Sequence, residues 1–103
     1  MQQATVLLVD ASAERRGFLR SALENRGWAV TGEAGSIAEL INACADLESA
    51  PATVLVGADI HGATSMQVAR MIKRTWPKAA VVREMKAEER AVHAPVLRLA
   101  AGA

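Results

Sequence analysis

Residues 5–10, TVLLVD, decide the fold: an apolar run ends in a carboxylate, and a segment with helical spacing follows at once. In a parallel α/β sheet this places Asp10 at the carboxyl end of a strand, the edge where such folds bind their ligands. What the chain can do therefore turns on whether Asp10 has other oxygen-bearing side chains around it.

Outward from that stretch, strand-like runs alternate with helix-period segments, the pattern of βαβ units. Ser12 suits the N-cap of a helix over residues 13–25, with Phe18, Leu19, Ala22 and Leu23 spaced to share a buried face. Arg26-Gly27 closes it, glycine supplying the left-handed residue. Residues 28–32, WAVTG, read as a short second strand. Ser36 and Glu39 form a capping box for a helix over 37–48, with Ile37, Leu40, Ile41 and Cys44 on its apolar side. Pro51 breaks the chain before a third strand, Thr53–Val56, whose apolar character suits burial on both faces. A polar loop, Gly57–Ala63, leads to a second capping box, Thr64 with Gln67. The helix behind it runs to about Trp76 with Met66, Ala69, Ile72 and Trp76 inward. Pro77 ends that helix, and Ala79–Val82 is the fourth strand. Past Met85 the pattern degrades: residues 86–92 allow one or two helical turns, 95–99 a short strand, and AAGA a frayed tail.

The length of 103 residues fits one domain with one layered core. Twelve Lys and Arg against eleven Asp and Glu leave a net charge of +1, which argues against bulk attraction to nucleic acid or membranes. No apolar run approaches the roughly 20 residues of a membrane span, and MQQAT does not open a secretory signal. Cys44 is the only cysteine, so an intrachain disulfide and a multi-cysteine metal site are both excluded, and a buried, inert thiol is expected. A cytoplasmic protein is the simplest expectation.

Three stretches, VLLVDASAERRGFLRSALENRGW (6–28), VLVGADIHGATSMQVARMIKRTWP (54–77) and KAAVV (78–82), resemble the receiver (CheY-like) domain of bacterial two-component response regulators. The likeness covers roughly residues 4–85, and the first helical segment is similar to that of LuxR/NarL-type regulators. The resemblance implies a three-layer, flavodoxin-like parallel sheet. It also implies an acidic pair after strand one that binds magnesium and a phosphoacceptor aspartate at the end of strand three. A Thr or Ser after strand four and a Lys after strand five would couple phosphorylation to the face formed by the last elements.

Against that pattern, Asp10 matches the first acid of the metal-binding pair, but the second position is Ala11. Magnesium wants a near-octahedral shell of hard oxygens, so the loss of one carboxylate weakens the site substantially. The acceptor position has two registers. Counting back from SMQVAR puts Gly57 there, whereas reading Asp59-Ile60-His61-Gly62 as a shortened acceptor loop makes Asp59 the acceptor. The switch hydroxyl position falls near Met85. Only residues 86–103 remain for the last helix, strand and helix, and no Lys ends an apolar strand; Arg98 lies inside the last apolar run. The chain divides into a receiver-like part, 1–85, and a shortened C-terminal segment, 86–103.

His61 and His93 stand alone, without a carboxylate at metal-ligand spacing, and read as surface residues. Arg70, Lys73 and Arg74 form a solvated helix face, and Trp28 and Trp76 core or rim packing. Arg15, Arg16 and Arg20 lie on the helix face with which receivers meet histidine kinases or phosphotransfer proteins. No nucleophile elbow, P-loop or Ser/Cys–His arrangement is present, so no enzyme is expected. A flavodoxin-like nucleotide-binding role fares worse, since Asp10-Ala11-Ser12 is a poor anion site. The expectation is an α/β domain with strand order 2-1-3-4 and a short or missing fifth strand. It would act as an atypical receiver that regulates through protein–protein contact with a kinase, phosphotransfer protein or effector domain. No cofactor is expected, nor a membrane or direct nucleic-acid partner. The alternative is a phosphorylatable receiver using Asp10, Asp59 and Mg2+ to control a transcription factor or other effector. Loss of the fifth strand would leave strand four as an edge, and Ala80, Val81 and Val82 would invite a homodimer or a partner chain.

Overall fold

The structure, a computed structural model, describes residues 4–84. The expected turns over 86–92, the strand over 95–99, Met85, His93 and Arg98 lie outside the described residues.

Strands β1 (Thr5–Val9), β2 (Ala29–Ala34), β3 (Thr53–Val56) and β4 (Ala80–Arg83) alternate with helices α1 (Ala13–Glu24), α2 (Ile37–Asp46) and α3 (Ser65–Thr75). All the strand pairs are parallel and the sheet order is β2-β1-β3-β4, the order the βαβ pattern predicts. β1 has neighbours on both sides, and its Val6–Val9 are each 1% exposed or less. Its one irregularity is against β2, where Val6 faces Val30 but Leu7 faces Gly32, leaving Thr31 as a bulge.

Helix starts follow local chemistry. Ser12, Ser36 and Thr64 have extended backbones, and each hydroxyl accepts a hydrogen bond from the N–H three residues on, satisfying a donor that the helix itself cannot. The Thr64–Gln67 box is reciprocal, Gln67 accepting from the Thr64 N–H at 2.9 Å. The Ser36–Glu39 box is only half formed. The Glu39 carboxylate bonds the Gly35 N–H at 2.7 Å, one residue before the expected donor. Gly27 turns the chain out of α1 with φ +88°, a conformation that side chains with a Cβ resist.

The described residues cover the two faces of the sheet unequally. On one, Leu7, Val9, Val54 and Val56 pack with Leu40 of α2 and Val68 and Ile72 of α3 in a single core. On the other, a row runs across the strands from Leu8 to Leu55 to Val82. Leu8 is buried, Leu55 half-buried and Val82 56% exposed. β3 is thus buried on alternate residues, not on both faces as its apolar sequence suggests. The same asymmetry corrects the reading of α1, which has no fully buried residue and leaves Phe18 74% exposed. In α2, Ile41 points outward while Leu40 is fully buried. In α3 Ile72 is buried and Trp76 packs against the core as expected, but the start of the helix turns Ser65 and Val68 inward in place of Met66 and Ala69, and Met66 is exposed. Trp28 and Trp76 are half-buried, as rim residues are. Cys44 is half-buried and packs against the core, and burial pushes its thiol pKa up, in keeping with an inert role. No helix among the described residues is long and apolar enough to cross a membrane.

Because the two faces differ, two apolar truncations should differ as well. Leu40→Ala is expected to cost about 3 kcal/mol, and Phe18→Ser less than about 0.5 kcal/mol. Equilibrium urea unfolding of both variants checks this; comparable losses would mean that the outer side of α1 is packed.

Candidate functional site

β1 and β3 both end at the carboxyl edge of the sheet, and the loops that follow them meet there. The Asp10 N–H donates to the Ala34 carbonyl at 2.9 Å, the Gly57 N–H to the Val9 carbonyl at 2.7 Å and the Ala11 N–H to the Asp59 carbonyl at 2.8 Å. These bonds place Asp10 beside Gly57, the residue directly after β3, and hold the Asp59 backbone one step further out.

Asp10 is 2% exposed, and a carboxylate so buried needs partners. Oδ1 accepts the Ser12 N–H at 2.8 Å, which helps to start α1, and Oδ2 takes the Arg15 guanidinium at 3.3 Å. The Asp10 carbonyl accepts from Arg16 Nη1. Arg15 reaches further, its same Nη1 lying 3.4 Å from Glu84 Oε2 just past β4. Glu84 is held in turn by its N–H, which donates to the Val56 carbonyl at 2.8 Å.

Gly57 is buried against this acid. A Cβ built on it would lie 2.6 Å from Asp10 Cγ and closer still to Oδ2, so any side chain at 57 competes with Asp10 for one space. Asp59 is exposed and lies with Ala11, His61 and Thr64 around a shallow depression in the β3–α3 loop. That loop is shaped by Gly62 (φ +93°) and by the Ile37 N–H, which donates to the His61 carbonyl at 2.9 Å.

A divalent cation does not fit this donor set. The position next to Asp10 is Ala11, and the acid's two oxygens are engaged by the Ser12 N–H and by the positively charged Arg15 guanidinium. Among the described residues, no group of three or more His, Cys, Asp or Glu could hold a metal ion.

Arg15, Arg16 and Arg20 are all engaged within the chain. Arg16 Nε lies 3.1 Å from Glu33 Oε1, Arg20 Nη2 lies 2.7 Å from Glu33 Oε2, and Arg20 also approaches Glu24. Together they clasp α1 to β2. Arg70 and Arg74 are exposed, and Lys73 donates to the Ala79 carbonyl at 2.6 Å. Of the β4 residues, Ala80 and Val82 are exposed and Val81 half-buried, and β4 is the last strand of the described sheet. A cavity of about 200 Å3 runs from Asp10 and Gly57 down the open face, between Leu19, Leu55 and Val82. Sequence reasoning missed Glu84 and Arg83. Arg83 donates to the Ser65 hydroxyl at 3.1 Å across the start of α3.

This architecture is that of response-regulator receiver domains. The non-phosphorylated receiver domain of RcsB from Escherichia coli superposes with a TM-score of 0.73 at 20% identity, over 95% of this chain and 76% of that one. RcsB from Salmonella typhimurium, described for its DNA interaction, gives 0.69 at 22% identity over 81% of this chain. A Burkholderia pseudomallei response regulator with a phosphorylated aspartic acid and a calcium ion gives 0.67 at 19% over 77%. The chain spans less than half the length of the last two, 42% and 45%. No family model matches the sequence, and no curated protein does. The receiver fold is therefore shown by shape.

The contact between Asp10 and Gly57 can be tested by crowding it. Gly57→Ala is expected to destabilise the domain by about 2 kcal/mol, while Asp59→Ala stays within about 0.5 kcal/mol of the parent. In chemical denaturation, Asp10→Ala combined with Gly57→Ala should lose less than the two single changes added together.

Proposed function

We propose that this chain is a degenerate receiver: a signalling domain that regulates through protein–protein contact, without a phosphorylation cycle and without enzymatic activity of its own. The observation that carries this is the Asp10 carboxylate lying over Gly57 with Arg15 bound to it. Phosphoryl transfer to a receiver needs an acceptor carboxylate and a cation to offset charge as it develops. Here the residue directly after β3 has no side chain, and the cation next to Asp10 is an arginine.

The surface offered for contact is the open side of the sheet. Val82, Leu55 and the outer side of α1 around Phe18 leave apolar area uncovered by the described residues, beside the edge of β4. An edge strand with apolar neighbours pairs readily with another chain. The partner classes that suit a receiver are a histidine kinase, a phosphotransfer protein, an effector domain or a second copy of this chain.

Incubation with acetyl phosphate, or with beryllofluoride and Mg2+, separates a degenerate from a working receiver. The intact mass should stay unchanged and the amide spectrum of α3 should not shift. A phosphoryl adduct mapped to Asp59 would sink this function and put the phosphorylatable receiver in its place.

A further inference from the structure

We infer that Arg15 is the resident cation of this pocket, a fixed guanidinium that stands in for a metal ion and holds the end of β4 against the end of β1. The inference rests on the degenerate-receiver function and says how such a domain is kept in one state.

The geometry is a three-point link. One nitrogen, Arg15 Nη1, lies 3.3 Å from Asp10 Oδ2 and 3.4 Å from Glu84 Oε2. Asp10 ends the central strand and Glu84 follows the outer described strand, 69 residues from Arg15 in sequence. Two carboxylates converging on one point repel each other unless a positive charge sits between them. The guanidinium supplies that charge from α1, whose start is fixed by the Ser12 cap, so the cation is part of the chain and does not exchange with solvent. Its backbone N–H makes the capping bond to the Ser12 hydroxyl independently of the side chain, so the side chain can be changed without loosening the helix start.

The consequence concerns the residue after β4. The resemblance to receivers implies that a phosphoryl group after β3 draws in a hydroxyl close to this point, at a position the sequence puts near Met85. In this domain no phosphoryl group is needed: Glu84 is held through its backbone by the Val56 carbonyl and through its side chain by Arg15. The placement of Glu84 itself is then set by an ion pair, not by a covalent modification. Its Arg15 and Glu84 side chains are each 45% exposed, so its strength should fall as ionic strength rises.

Arg15→Gln keeps a good helix former and removes the charge. In the full chain it should lower the melting temperature at low ionic strength, by an amount that shrinks with added KCl. The same substitution should do less in a Glu84→Gln background, because one end of the bridge is already gone. Removal of the resident charge should also let a divalent ion approach Asp10 and Glu84. Mn2+ alone, followed by water-proton relaxation, should bind the Arg15→Gln variant about tenfold more tightly than the parent. Mg2+ at millimolar levels should raise the variant's melting temperature and leave the parent's unchanged. The inference is overturned if the variant melts like the parent and binds Mn2+ no better, or if Mg2+ stabilises the parent as much as the variant. Both results are distinct from failure of the proposed function, which shows as a phosphoryl or beryllofluoride adduct on the unmodified chain.

Discussion

Burial of one carboxylate organises the carboxyl edge of this sheet. An ionised acid removed from water is costly unless hydrogen bonds and an opposite charge replace its solvent. Asp10 obtains both from the residues that follow it, the Ser12 N–H and the Arg15 side chain, so meeting its needs also starts α1. The carboxylate must then lie across the chain leaving β3, which requires a residue without a side chain at position 57. The ends of β1 and β3, the first turn of α1 and the residue after β4 are thereby fixed as one unit.

The strands, their order and the helix starts were legible from sequence because each depends on local chemistry. TVLLV and TVLV are apolar runs too short for helices, and Ser12, Ser36 and Thr64 each stand at a helix start. What failed was anything that depends on what lies opposite. Phe18 and Leu55 have the composition of core residues, and no local pattern could report that, among the described residues, α1 packs chiefly against β1 and β2. The start of α3 was misjudged because Met66 is apolar and Ser65 is not, yet Ser65 is the one facing the sheet, where Arg83 gives its hydroxyl a partner.

The candidate site divides in the same way. Asp10 and the missing second acid at Ala11 could be read directly from the end of the first apolar run. Gly57 and Asp59 could not be separated by counting, since loop lengths vary by a residue or two. Backbone register decides where each lies: Gly57 follows β3 and bonds Val9, while Asp59 lies in the exposed loop. The Arg15–Glu84 pair was beyond reach, because ion pairing between distant segments leaves no periodic trace. Arg15, Arg16 and Arg20 read as a basic helix face, yet Glu33 and Glu84 on other elements neutralise it. A charge run seen in one helix says little until the neighbouring strand is known.

The graded row from Leu8 through Leu55 to Val82 has a consequence for how the domain breathes. Local opening is cheapest where little apolar area must be wetted, so backbone amides of β4 are expected to exchange with deuterium through smaller openings than those of β1. Those of β1, flanked on both sides and with Val6–Val9 buried, are expected to be the most protected. Among the described residues, the bond between Arg15 and Glu84 lies beside the more open of these strands.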